Sequence, residues 1–113
     1  MKNNFLFLTV FILLFFSSCT ICNNEIIKQD YLSCNSKIIL FSRDAGATTN
    51  TSYQISIIGN KTKLGNKKGN ICITNGTYLD YIIEYNSIFI IYNGELFLGE
   101  EKYKNMNIYY EKL

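Results

Sequence analysis

A short positive start, Met1-Lys2-Asn3-Asn4, leads into a mostly apolar run over residues 5–16 and then into Ser17-Ser18-Cys19. That run decides how much chain is left to fold. At about 1.5 Å per residue its twelve residues would span roughly 18 Å, short of a hydrocarbon core of about 30 Å, so it does not suit a membrane-spanning helix. Its length, basic start and small-residue exit are those of a secretory signal peptide. Removing the first 18 of 113 residues leaves 95, enough for one domain with one modest core.

Two small residues before a cysteine resemble the lipobox of bacterial lipoproteins, although Phe16 stands where Leu is usual. The resemblance implies cleavage before Cys19 and acyl chains, palmitate among them, on Cys19. The chain would then be a cell-envelope protein whose partner is the membrane, through its lipid anchor. An ordinary cleaved signal with a free Cys19 is the alternative. Thr20 follows, and no Asp is present to resemble the inner-membrane retention signal of enteric bacteria. This implies the outer membrane in a Gram-negative host and the cell membrane in a Gram-positive one.

Once Lys2 leaves with the signal, ten Lys and Arg face nine Asp and Glu. Such a balance makes no electrostatic case for nucleic acid. The chain has no His, which excludes a Ser-His or Cys-His nucleophilic pair and removes the commonest transition-metal ligand. Cys19-Thr20-Ile21-Cys22 has the spacing of a redox motif, but no helical pattern follows it and acylation would consume the first thiol. Cys22, Cys34 and Cys72 remain, an odd number in an oxidising compartment. One disulfide plus one buried thiol is compatible with them, and the pairing stays open. Zinc would want four more closely spaced ligands, so neither metal nor cofactor is expected.

Along the mature chain, residues 19–30 are polar and short of core candidates, and read as the lipidated cysteine and a tether. Residues 31–113 read as a single β-domain. Nine Tyr and many Ile favour strands. Residues 37–43 hold the apolar run Ile38-Ile39-Leu40-Phe41, and residues 52–58 alternate with Tyr53, Ile55 and Ile57 on one face. Asn75-Gly76 and Asn93-Gly94 accept positive φ at both central turn positions and predict two-residue hairpins. In residues 78–85, Leu79, Tyr81, Ile83 and Tyr85 share a face, with Asp80 and Glu84 opposite, the half-buried pattern of an antiparallel sheet. Residues 106–110 alternate again. No window repeats apolar residues at i, i+3, i+4 and i+7 over three turns. The expected fold is all-β, a small single-domain antiparallel meander or sandwich of about six to seven short strands.

The stretch Arg43-Asp44-Ala45-Gly46-Ala47-Thr48-Thr49, followed by Ser52-Tyr53-Gln54-Ile55-Ser56-Ile57, resembles a family of small bacterial lipoproteins of unknown function. They carry Arg-Asp-Cys-Gly-Ala-Thr-Thr after a strand, then a Ser/Thr-x-Gln-Val/Ile-Ser-Ile strand. Gly65-Asn66-Lys67-Lys68-Gly69-Asn70 and Ile108-Tyr109-Tyr110 are similar too, so the likeness extends from about Glu25 to the end. Ala45 replaces the family's Cys, which removes any thiol role there. Ser33-Cys34-Asn35-Ser36-Lys37 stands where relatives have a Ser-Pro-Asp-Gly-Lys turn. The resemblance implies fold and location and carries no activity.

Read as a site, Arg43 offers a fork of donors for carboxylate or phosphate, Gly46 lets backbone amides converge, and Thr48 and Thr49 add hydroxyls. An anion or a sugar would suit them. The structural alternative has Asp44 and the threonines capping the turn, Gly46 supplying positive φ, and Arg43 pairing with Asp44 or a neighbouring strand. A nucleophilic Thr48 or Thr49 would need a base, and only Lys or carboxylates are present. Lys61, Lys63, Lys67 and Lys68 lie in a Gly-punctuated loop that suits anionic headgroups or acidic envelope polymers, or is a solvated hairpin connection. Tyr78, Tyr81, Tyr85, Tyr92, Tyr103, Tyr109 and Tyr110 would make a sugar-stacking face only if they shared one, and alternation puts about half in the core. The acids are scattered, with no calcium-loop spacing and no acid–base pair. Asn50, Asn60 and Asn75 begin glycosylation sequons, most of which go unused in bacteria.

The expected function is therefore that of a non-enzymatic envelope accessory domain with no catalytic residues, binding or supporting another envelope protein or polymer. An inhibitor or immunity-type protein that occludes a partner enzyme is the alternative, and a small Thr-dependent hydrolase is the third reading.

Overall fold

The computed structural model describes residues 23–44 and 51–113, all of it strand, turn and loop. Nine strands form: β1 (Asn23–Leu32), β2 (Ser36–Asp44), β3 (Ser52–Gly59), β4 (Cys72–Thr74), β5 (Leu79–Glu84), β6 (Ser87–Tyr92), β7 (Leu96–Gly99), β8 (Lys102–Tyr103) and β9 (Met106–Lys112). They make a five-stranded sheet in the order β1-β2-β3-β4-β7 and a four-stranded sheet in the order β5-β6-β9-β8. The all-β expectation holds, with more and shorter strands than the hydropathy pattern separates. All pairs are antiparallel except β6 and β9, which run parallel.

Period-two alternation explains how the sheets pack. Ile38 and Leu40 of β2 and Ile55 and Ile57 of β3 meet Leu79 and Tyr81 of β5, Ile88 and Ile90 of β6, and Met106 and Ile108 of β9 in the main core. Buried side chains of this kind stabilise by about 1.5–3 kcal/mol each relative to exposure. The intervening residues of β2, Ile39 and Phe41, face away from the second sheet and are also fully buried. Leu64, from the connection between β3 and β4, covers them together with Ile58. The first sheet is thus covered on both faces, by a sheet and by a loop. This is why β2 reads as a continuous apolar run rather than an alternating one.

Both Asn-Gly pairs depart from the hairpin expectation. β4 and β5 belong to different sheets, as do β6 and β7, so neither pair closes a hairpin. The four strands form one long antiparallel ribbon that passes from the first sheet to the second, and the Asn-Gly pairs lie side by side at its corner. Asn75 N–H donates to the Glu95 carbonyl at 3.1 Å and Asn93 N–H to the Tyr78 carbonyl at 3.2 Å. Each asparagine side-chain oxygen accepts from the strand opposite: Asn75 Oδ1 from Glu95 N–H at 2.8 Å, Asn93 Oδ1 from Tyr78 N–H at 2.7 Å. A Cβ on Gly76 would overlap the Asn93 carbonyl and side-chain oxygen, so the two chain passes need glycine to cross this closely. The ribbon's two-residue turn is Tyr85-Asn86, with Tyr85 at φ 51°. Tyr85 is fully exposed there and does not share the inner face with Leu79 and Tyr81.

The stretch expected to be a tether is strand from Asn23 onward, correcting the boundary placed at residue 30. β1 pairs along its length with β2, from Asn23 opposite Asp44 to Leu32 opposite Ser36. A bulge at Ile27 interrupts the ladder and lies on the sheet's outer edge, a device that discourages a further strand from adding. Past the bulge, Lys28 Nζ reaches Asp80 Oδ1 at 3.1 Å and the Tyr81 carbonyl at 2.9 Å, and sits 4.2 Å from the centre of the Tyr81 ring. The Tyr81 hydroxyl donates to Asp30 Oδ2 at 2.6 Å. β1 thereby closes the sandwich along the free edge of β5.

Candidate functional site

The structure brings together two segments the sequence offers separately, the Arg43 motif and the lysine loop. Arg43 stands near the end of β2, cross-strand from Asn24 of β1. Its Nη1 donates to Asn24 Oδ1 at 3.0 Å and to the Asn66 carbonyl at 2.6 Å. Asn24 in turn donates through Nδ2 to the carbonyls of Gly65 at 3.0 Å and Lys67 at 2.7 Å. Arg43 is therefore used to hold the loop against the sheet: its bond to Asn24 is the pairing with a neighbouring strand that the structural alternative raised, and the Asn66 carbonyl is a partner neither alternative raised. Asp44 ends β2 and is exposed. Gly46, Thr48 and Thr49 lie outside the described residues, as do Cys19 and Cys22.

The loop is built rather than solvated. Gly65 turns at φ 57°, and Lys67 N–H donates to the Leu64 carbonyl, closing a turn around the buried Leu64. Gly69 is buried, and its N–H donates to Gln54 Oε1 at 2.7 Å. Asn70 replaces a missing strand partner: it accepts from Ile57 N–H and donates through Nδ2 to the Ile57 carbonyl, both at 2.9 Å. Its own N–H donates to Ser56 Oγ. With its backbone fixed in this way, the loop leaves Lys61, Lys63, Lys67 and Lys68 exposed. The ion pair found among the described residues is Lys28–Asp80, and none of the four loop lysines takes part in one.

A second surface lies on the outer face of the four-stranded sheet. Ile82 of β5, Phe89 of β6 and Tyr109 of β9 sit in one cross-strand row, and the Phe89 and Tyr109 rings stack with centroids 5.3 Å apart. They border an open depression of about 550 Å³, lined also by Glu84, Ile91 and Glu111. A larger, more polar cleft of about 930 Å³ adjoins it at Tyr109, with Glu100, Glu101 and Lys102 on its walls. The sequence hides this row because Ile88-Phe89-Ile90-Ile91-Tyr92 is apolar on both faces, so alternation cannot tell inner from outer. The candidate tyrosines do not form one face. Tyr81 is core, Tyr92, Tyr103 and Tyr110 pack partly against it, and Tyr78, Tyr85 and Tyr109 are exposed.

Titratable groups in the interior are neutral packing elements. Burial pushes the Cys72 thiol up to about 12, so it is a core residue and a poor nucleophile. Burial, then the hydrogen bond and charge of Asp30 and the charge of Asp80, raise the Tyr81 phenol above its ordinary value. Burial chiefly, with Cys72, Glu100, Glu101 and Tyr92 nearby, raises that of Tyr110, whose hydroxyl donates to the Glu100 carbonyl at 2.6 Å. Cys34 and Cys72 are both free thiols, so the disulfide the cysteine count allows does not join them. Among the described residues no three His, Cys, Asp or Glu side chains gather as metal ligands.

Compared with protein-family models, with curated proteins and with solved structures, the chain finds no match in any of the three.

Proposed function

We propose that this chain is an envelope lipoprotein, held at a membrane by acyl chains on Cys19, whose β-domain is a non-enzymatic binding or structural accessory module. The observation that supports it most is where β1 starts. Among the described residues the pairing with β2 reaches back to Asn23, four residues after the lipobox cysteine. At 3.3–3.6 Å per residue the lipid can stand no more than about 14 Å from the first strand pair. A domain held this short suits a component that works against the membrane surface.

Mass spectrometry of the mature protein from native envelopes tests the reading. The expected N-terminal peptide begins at Cys19 and carries a diacylglyceryl group. A peptide that begins elsewhere, or an unmodified Cys19 in the soluble fraction, overturns it. An electrophilic probe tests the enzymatic alternative on the same material: labelling abolished by Thr48→Ala or Thr49→Ala would replace the accessory reading with a hydrolase.

A further inference from the structure

In the connection between β3 and β4, structural tasks fall to side chains other than the lysines and to the backbone. Leu64 fills the outer core, Gly69 and Asn70 complete the edge of β3, and the carbonyls of Gly65, Asn66 and Lys67 accept from Asn24 and Arg43. Lys61, Lys63, Lys67 and Lys68 are exposed, outside any ion pair among the described residues, and no acidic residue lies between Gly59 and Ile71. Their backbone is already fixed, so a partner that binds them does not have to order the loop.

Their place in the fold is the second observation. Asn24, which grips the loop's tip, is the second residue of β1 and five residues from Cys19. On the anchored reading proposed above, chain length alone holds Asn24 within roughly 18 Å of the acylated cysteine, and the loop's tip one side chain farther. That ceiling lets the lysines come down to the headgroups, where they lie inside one screening length of about 8 Å at physiological salt and the attraction is strongest.

We infer that the lysine loop docks on anionic phospholipid headgroups and turns the outer face of the five-stranded sheet toward the bilayer. Each lysine brought to an anionic leaflet strengthens attachment roughly fivefold. The charge distribution favours this orientation over its reverse. The opposite outer face carries Glu84 and Glu111 beside Ile82, Phe89 and Tyr109, and an anionic surface repels those carboxylates. Docked by the loop, the domain presents that aromatic row away from the membrane.

Lysine footprinting of the mature chain purified from native envelopes tests the inference. The protein is reconstituted into vesicles of phosphatidylcholine alone, or of an equal mixture with phosphatidylglycerol, and treated with an amine-acylating reagent. Modification is then read at each lysine by mass spectrometry. With phosphatidylglycerol the four loop lysines should react about threefold more slowly or less, and recover near 1 M salt, where the screening length is about 3 Å. Lys102, Lys104 and Lys112, on the other sheet, should react alike in both vesicles. Equal reactivity of the loop lysines in the two compositions overturns the proposal, as does slowing shared by all seven lysines. The same spectra report the lipid on Cys19. Its absence overturns the anchored reading, and its presence with an unprotected loop overturns docking alone.

Discussion

Gly76 and Gly65 separate two reasons for placing a glycine in a loop. Gly76 has an ordinary φ, but its Cα faces the Asn93 carbonyl across the ribbon corner, so any Cβ must push two strands apart. Gly65 has open space around it and a φ of 57°, so an added Cβ meets only backbone strain. Gly65→Ala should cost about 1 kcal/mol, the penalty of a left-handed L-residue. Gly76→Ala should cost several times that, at least ~3 kcal/mol, because the clash is with backbone and cannot relax by a rotamer change. Urea melts of the two variants check this, and equal losses would contradict the corner as described. Cys72 gives a pH prediction. Its thiol is neutral in the fold up to about 12 and ionises near 9 when unfolded. The folded state therefore holds a proton that the unfolded state has lost across that window. Stability is full below pH 9 and falls as pH rises, by about 1.4 kcal/mol per unit from this group. The raised phenols of Tyr81 and Tyr110 add the same sign above pH 10. Cys72→Val should flatten the decline between pH 9 and 10, measured by denaturant melts at stepped pH.

Among the elements, the β3–β4 connection acts as part of the core, and Leu64 carries that role. Leu64→Ala should remove about 2–3 kcal/mol, near the low end for buried leucine because the outer cluster is small, and lower Tm by roughly 10–20 °C. Trypsin should then cut the native variant at Lys67 and Lys68 faster than it cuts the wild type. A stable variant with an uncut loop would show that Leu64 does not pin it. The same element shows what the sequence conceals. Lys61 to Gly69 reads as solvated because its anchors are one leucine, two glycines and backbone atoms, none of which makes a hydropathy signal. β1 is concealed for a related reason. As an edge strand exposed over most of its length, it has no apolar face to alternate, so Asn23-Asn24-Glu25 looks like linker. The asparagine–glycine pairs were legible as places where the chain turns. Their partner was not, because only the three-dimensional corner sets each against the other. Strands β2, β3 and β5, each with one face in the main core, were legible as strands in sequence, and so was the all-β class.

Across the whole molecule, two outer faces differ in kind. The five-stranded sheet is roofed by a rigid loop whose exposed charged side chains are lysines. The four-stranded sheet is bare, with an aliphatic–aromatic row between carboxylates. Arg43 was legible as a residue with a purpose, but not as a clasp for the loop, since Asn24 and Asn66 are distant in sequence and polar in an ordinary way. On the anchored reading proposed above, a rigid domain lies flush with the membrane instead of swinging on a tether. Were residues 20–30 extended and free, they would lift the domain by up to about 35–40 Å, whereas pairing from Asn23 limits the gap to about 14 Å. Neutron reflectometry of the acylated chain on a supported bilayer containing phosphatidylglycerol measures that gap. A protein layer directly against the headgroups, with no resolvable water layer, is the predicted result. A hydrated layer thicker than about 14 Å beneath the protein would contradict that placement.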